Sequence, residues 1–423
     1  MAEYLKRATP VPEADRRAVS ETVAEILRRV RSEGLAAVRD YSRRFDGWDP
    51  PSFRVSDEEI AAARDKLAPD VLVSLEFAHE QIRHFAELQR ASMLEFEEET
   101  RPGVFLGQKH IPVARVGAYV PSGKYPMLMS AQMSILTAKV AGVPRVVGCA
   151  PPFEGRGISP EVLWSMRLAG ADEIWAVGGV QALAMLAYGV EGLDPVDLIA
   201  GPGNMYVAEA KRQLFGQVGI DLLAGPTEIL IIADEAADPT VVAADLLGQA
   251  EHGPTSPAVL VTTSPALAAA ALEEVDRQLP LLPTAEVLLE SWGTLGEIVV
   301  VTDREEAVAV ADRYAPEHLE VQTEDAAWYA ERLSNYGTLC VGEEATITFS
   351  DKAIGTNHTL PTAGAARYTG GLWVGKFLKT VTYQRCTREG ALEIAPHAAL
   401  LSDAERMPGH ARSARVREQK YGD

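Results

Sequence analysis

Up to about residue 100 the chain mixes apolar positions with many charges in a pattern that predicts helices. Ser56 to Glu59 has the form of a capping box, in which the hydroxyl and the Glu59 carboxylate each satisfy a free backbone N–H at a helix start. The long charged segment that follows runs to Glu99, broken only by Pro69, and predicts scaffold or dimer surface. Near residue 111 the texture changes to short β-rich runs: Val113 to Val120, Arg145 to Cys149, Glu173 to Val177, Leu198 to Ala200, Ile229 to Ala233, Val259 to Thr262 and Ile298 to Val301. Segments of helical length, such as Pro126 to Ala141 and Gln181 to Tyr188, separate several of them. Such alternation predicts an α/β protein of parallel sheets covered by helices on both faces, with two sheets fitting between about residues 18 and 370. The last fifty residues are polar and predict a helical appended arm.

Composition narrows the classes. The 423 residues are too many for one simple core, and 47% of them are apolar, enough to bury more than one. No apolar run approaches the roughly 18 residues of a membrane span. The start, MAEYLKRATPVPEADRR, lacks an apolar signal core and reads as a cytoplasmic protein's. A net charge of −20 opposes binding to nucleic acid or anionic membrane, so an anionic ligand must be held by local dipoles or isolated cations. Cys149, Cys340 and Cys386 form no CxxC pair and predict reduced thiols without a disulfide framework.

Ligands of open parallel sheets gather at the carboxyl ends of strands, and three glycine-rich loops are expected there. They are Gly178-Gly179-Val180-Gln181, Gly201-Pro202-Gly203-Asn204 and Gly225-Pro226-Thr227-Glu228. Glycine admits close approach of a ligand to the backbone, and a helix start offers N–H groups to a phosphate. None of the three is GxGxxG, and each alone is more often a tight turn. Tyr119, at a strand end, could offer an aromatic face or be a half-buried strand residue.

Asp238-Pro239 predicts a helix start, and Gln249 and His252 stand three apart on that helix, on one face. Histidine is a good zinc ligand and an amide oxygen a workable one; Asp351, His358 and His410 are candidate partners. Glu317-His318 sets two titratable groups side by side, suited to dividing base work, although such neighbours in a loop are mostly solvated. Asp351 to Thr362, DKAIGTNHTLPT, packs an acid, a glycine turn, an amide and an imidazole into one loop of the kind that binds ligands.

VGAYVPSG, AVGGVQALAMLAYG, DLIAGPGN, LLAGPTEIL, DLLGQAEHGP, YAPEHLE and GTNHTLPT, with FDG at Phe45 to Gly47, occur in order along nearly the whole chain and together resemble histidinol dehydrogenases. The resemblance implies two Rossmann-like domains without the usual phosphate fingerprint, in a homodimer whose C-terminal arms complete each other's active sites. It implies one zinc per subunit held by Gln249, His252, Asp351 and a partner's His410. It implies NAD at Tyr119, Gln181 and Asn204, and substrate at Thr227, His318, His358 and a partner's Glu405, alongside the metal-site residues. The reaction so implied oxidises a polar alcohol through the aldehyde to the carboxylate, with His318 taking the alcohol proton and Glu317 activating water. The implied division is an N-terminal segment 1–17; a first Rossmann-like domain of 18–118 plus 230–370 with the metal and acid–base residues; a second, NAD-binding, of 119–229; and an arm 371–423.

Several positions depart from the biosynthetic pattern: Thr227 in place of serine, Pro121-Ser122-Gly123-Lys124, Ser350-Asp351-Lys352, and the run ARYTGGLWVGKFLK from Ala366 to Lys379. This last run is similar to that of the family's sulfopropanediol dehydrogenases, and Lys124, Lys352 and Arg367 would suit a sulfonate or lie on the surface. L-Histidinol leads as the expected substrate and a sulfonated diol follows. A non-catalytic binding paralogue and a zinc hydrolase are the alternatives from other classes.

Overall fold

The computed structural model describes residues 3–9, 14–122, 125–190 and 192–422. The chain divides into two compact units, residues 1–88 with 113–377 and residues 89–112 with 378–423. The first unit holds two parallel sheets. In the five-stranded one the order is β6 (Glu173–Ala176), β5 (Arg145–Ala150), β4 (Arg115–Tyr119), β7 (Leu198–Ala200), β8 (Gly219–Ile220). In the six-stranded one β1 (Glu3–Lys6) runs antiparallel at the edge. It is followed by β11 (Gly296–Val300), β10 (Ala258–Thr262), β9 (Ile229–Ala233), β12 (His318–Gln322) and β13 (Thr338–Val341), mutually parallel.

Counted from their own first parallel strands, both sheets run 3-2-1-4-5, the doubly wound order. Their direction reverses between β4 and β7 in one and between β9 and β12 in the other. β9 reads Ile-Leu-Ile-Ile-Ala and is buried throughout, as a central parallel strand covered on both faces must be. Ile231 packs on one face among Val242, Leu246 and Leu260, while Leu230 and Ile232 pack on the other with Leu319 and Val321. Each such fully buried side chain contributes roughly 1.5–3 kcal/mol. The helix Pro239–Ala250 begins as expected: Asp238 caps it by accepting from Thr240 N at 2.7 Å, and Pro239 fills the first turn, where a missing N–H costs nothing.

The second unit is a three-stranded antiparallel sheet, β14 (Leu378–Cys386), β3 (Val104–Pro112), β2 (Phe96–Arg101), with the helices Arg388–Ala404 and Pro408–Gly422. Residues 96–112 are therefore a hairpin rather than helix. β2, FEEETR, is exposed on both faces and shows none of the burial periodicity that marks a strand. The arm likewise opens with a strand.

The expected domain borders shift in three places. β4 belongs to the five-stranded sheet although it precedes residue 119. The helices Ala14–Glu33 and Leu35–Asp46 place Val23, Ile26, Val38 and Tyr41 in the core of that same sheet, with Trp175 and Leu183. Residues 89–112 join the arm. Among the described residues no helix is long and apolar enough to cross a membrane.

Candidate active site

A cavity of about 790 Å³ opens in the first unit and is lined from both parallel sheets. The five-stranded sheet faces it with strand carboxyl ends: Tyr119 closes β4, Gly179 and Gln181 follow β6, and Gly203 and Asn204 follow β7. The six-stranded sheet faces it with amino ends instead. Thr227 lies just before β9, Glu317 just before β12, and His318 is the first residue of β12. The Gly225 to Glu228 loop, expected just before the strand Ile229 to Ala233, leads into that strand at the cavity from its amino end, unlike the other two glycine-rich loops. The reason is local pairing. β9 and β12 are neighbours with His318 opposite Ile229, so the residues ahead of both strands meet.

The approach to Glu317 is bent. The helix Arg304–Tyr314 ends at Ala315 with φ 48°, a left-handed conformation costly for a residue with a Cβ, and Pro316 follows. Glu317 then enters a buried position, 4% exposed, under Gly337, where a Cβ would press on the Glu317 carbonyl oxygen. Its Oε2 accepts from the Thr227 hydroxyl at 2.5 Å and from Glu228 N–H at 3.0 Å. Gln249 Nε2 donates to the same Thr227 oxygen at 2.5 Å, so amide, hydroxyl and carboxyl form one chain. Burial holds the Glu317 carboxyl well above the ordinary range, against the pull of those hydrogen bonds.

His318 is 2% exposed. Its Nδ1 stands 3.1 Å from the Glu228 carbonyl oxygen, which can only accept, so Nδ1 carries the proton and Nε2 a lone pair. Nε2 has no hydrogen-bond partner and lies 3.8 Å from Asp351 Oδ1, which has none either. Burial pushes the imidazole down to about 4, keeping it neutral. His252 Nε2 lies 3.9 Å from Asp351 Oδ2, and burial lowers its pKa too. His358 is fixed at both nitrogens: Nδ1 donates to the Asp351 carbonyl, and Nε2 accepts from the Ser130 hydroxyl, each at 3.1 Å.

Asp351 Oδ1, buried and without a hydrogen-bond partner, and His252 Nε2, 3.9 Å from Asp351 Oδ2, are oxygen and nitrogen donors of the kind a divalent cation takes. Among the described residues no group of three or more His, Cys, Asp or Glu side chains is placed to hold a metal ion.

On the side of the five-stranded sheet, Tyr119 OH accepts from Gly179 N at 3.2 Å, Gln181 Nε2 donates to Asp46 Oδ2 at 3.2 Å, and Asn204 caps the helix Met205–Leu214. Gly201 has φ +114° and abuts β4 so closely that a Cβ would overlap the Tyr119 carbonyl oxygen. A buried ion pair grips this glycine from both sides: Lys211 Nζ donates to its carbonyl at 2.9 Å, and Asp221 Oδ2 accepts from its N–H at 2.8 Å.

The structure thus brings Tyr119, Gln181, Asn204, Thr227, His252, Glu317, His318, Asp351 and His358 to one cavity, with Gln249 directly behind Thr227. Glu405 and His410 lie exposed in the second unit, Glu405 ending one helix and His410 in the first turn of the next. Of the expected cations, Lys352 Nζ is 3.8 Å from Asp351 Oδ2, Arg367 is exposed, and Lys124 falls outside the described residues. Three contributors escaped the sequence reading. Glu228 orients both catalytic candidates through its backbone; Ser130 sits beside a π-helical turn, Gln132–Leu136; and Asp46 lies within the FDG motif.

Two doubly wound sheets that share a cleft lined by a neutral imidazole and a buried carboxyl define an α/β enzyme equipped to move protons. The family model for histidinol dehydrogenase matches residues 10–418. A histidinol dehydrogenase homolog of Shouchella clausii is 54% identical over all of both chains, and the sulfopropanediol 3-dehydrogenase of Ruegeria pomeroyi is 47% identical over 99% of this chain and 97% of its own. The crystal structure of histidinol dehydrogenase from Elizabethkingia anophelis superposes with a TM-score of 0.90 at 31% identity, covering 98% of each chain. The chain belongs to the histidinol dehydrogenase family, whose members are NAD-dependent dehydrogenases.

Proposed function

We propose that this protein oxidises a small polar primary alcohol through its aldehyde to the carboxylate, in two hydride transfers to two NAD⁺. The observation that carries the reading is the His318 geometry: a buried imidazole in a residue that lines the cavity, with its Nδ1 proton spent on Glu228 and an unpartnered Nε2 3.8 Å from Asp351 Oδ1. Such a nitrogen takes an alcohol proton as hydride leaves carbon. Glu317, beside it, is the group to draw a proton from water as water adds to the aldehyde. The proton that His318 took returns to the aldehyde oxygen as water adds, so the hydrate is again an alcohol and the imidazole, neutral once more, serves the second transfer. The buried floor of the cavity keeps the reactive aldehyde from bulk water.

Tyr119, Gln181 and Asn204 would line the nucleotide's place. Gln249, His252 and Asp351, with His410 of a second copy, would hold a zinc ion, which when bound supplies Lewis-acid polarisation and a template for the substrate's heteroatoms. Glu405 of that copy would complete the substrate site in a homodimer. Thr227, His358 and the metal-site residues would meet the substrate from this chain. The family match makes L-histidinol the first substrate to assay. A sulfonated propanediol is the second reading, favoured by the 47% identity to the Ruegeria enzyme and by Lys352 beside Asp351. The test is NADH formation from zinc-loaded protein with L-histidinol and with dihydroxypropane sulfonate side by side. Two NADH per substrate consumed are expected from one of them. Stoppage at one NADH would defeat the water-activating role, and no NADH from either would overturn the proposal.

A further inference from the structure

Behind the cavity lies a second pair of acids that the reaction just described does not use. Glu320 follows His318 by two residues, on the same face of β12, and is fully buried. Asp245 precedes Gln249 by one helical turn and shares a hydrogen bond with Glu320. Gln322 Nε2 donates to both, at 2.8 Å to Asp245 Oδ2 and 3.0 Å to Glu320 Oε2. The remaining oxygens turn to a third element. Thr346 Oγ1 donates to Asp245 Oδ1 at 2.9 Å, and the N–H of Ile347 donates to Glu320 Oε1 at 2.8 Å. Ile347 opens the short helix Ile347–Lys352 that carries Asp351.

We propose that the Asp245–Glu320 pair is the positioning device of this active site. It locks the helix leading to Gln249 and His252, the strand led by Glu317 and His318, and the helix bearing Asp351 into one hydrogen-bonded unit. Two carboxyls in contact share a proton, since two charges there would repel in a poorly solvated place. Burial, and then the Asp245 charge, hold the Glu320 carboxyl above its ordinary range in keeping with this. The surroundings are apolar: Ile231, Ala243, Leu246 and Ile347 belong to the same cluster on that face. Apolar side chains would fill the space and stabilise the core at least as well, but they would let the three elements slide and rotate. Directional bonds fix their relative height and rotation, on which the separations around Asp351 depend. Asp245 and Glu320 touch neither cavity nor ligand, so their influence runs through the residues they hold.

The inference rests on the dehydrogenase reading, and its test separates the two. In Asp245→Ala the link is cut at its half-buried end, which spares the fold. Asp245→Asn keeps an acceptor for Thr346 and offers an N–H to Glu320, giving up only the bond that Oδ2 accepts from Gln322. The expected result for Asp245→Ala is a kcat on the order of ten- to a hundred-fold lower, with KM for NAD⁺ unchanged. Faster loss of zinc to a chelator, followed without any turnover, should accompany it. Asp245→Asn should recover most of both. Melting temperatures of the two variants are measured alongside. A lowered melting temperature with wild-type kcat and zinc retention would reduce the pair to packing and overturn the proposal, as would an Asn variant as impaired as the Ala one. Were the chain inactive on every alcohol, the zinc-retention comparison would still decide.

Discussion

At the scale of single residues, Glu317 and His318 are chain neighbours in opposite situations. One is a carboxyl that burial pushes toward keeping a proton; the other is an imidazole that burial keeps from taking a second. Both are aimed by Glu228, whose N–H holds the carboxyl and whose carbonyl holds Nδ1. Gln at position 317 can still accept from Thr227 and Glu228 but can take no proton from water. Glu317→Gln should therefore slow oxidation of the supplied aldehyde by about a hundred-fold or more and that of the alcohol much less. Stopped-flow traces of NADH from each substrate measure the two steps, and an equal loss in both would reassign Glu317. The residue pair could be read from the sequence because Glu-His beside Pro has a chemical meaning of its own. Glu228 could not, since it acts through backbone atoms that every residue possesses.

At the scale of elements, the strands that read easily are the apolar ones buried on both faces, β9 and β10 above all. β12 escaped because Glu320 and Gln322, polar residues in a fully buried strand, break the apolar run that announces such strands. The site therefore interrupts the pattern by which its own scaffold would be recognised. The loop after β7 shows a related economy, for its first turn admits no side chain at Gly201. Gly201→Ala must leave φ +114° and push its methyl off the Tyr119 carbonyl, moving the turn that ends at Asn204. Weaker NAD⁺ binding, by roughly ten-fold or more, is expected in a fluorescence titration, with zinc content unchanged because the metal-site residues sit on the other sheet. Unaltered NAD⁺ affinity would remove this loop from the nucleotide site.

At the scale of the whole molecule, the cavity is lined by the first unit alone, while Glu405 and His410 are exposed on the helices of the second. If a second copy supplies them, two defects on different chains can cancel. Glu317→Gln and His410→Asn proteins, each failing alone to carry the alcohol through to the carboxylate, should regain the full oxidation when unfolded and refolded together. Random pairing gives a site with an intact Glu317 and a donated His410 in about a quarter of cases. Mixtures that stay inactive would mean that each chain completes its own site. Motif order had implied the arm's role, but no pattern in a single sequence shows which copy a residue serves.

The second unit's sheet has one more consequence. β3 finds its partner β14 only after residues 113–377 have intervened, so most of the larger unit lies between two adjacent strands. During synthesis the hairpin of β2 and β3 leaves the ribosome early and must wait, one edge bare, until nearly all of the chain has followed. Termination just before residue 378 would release a protein able to build its core but left with an open strand edge, ready to stick to its neighbours.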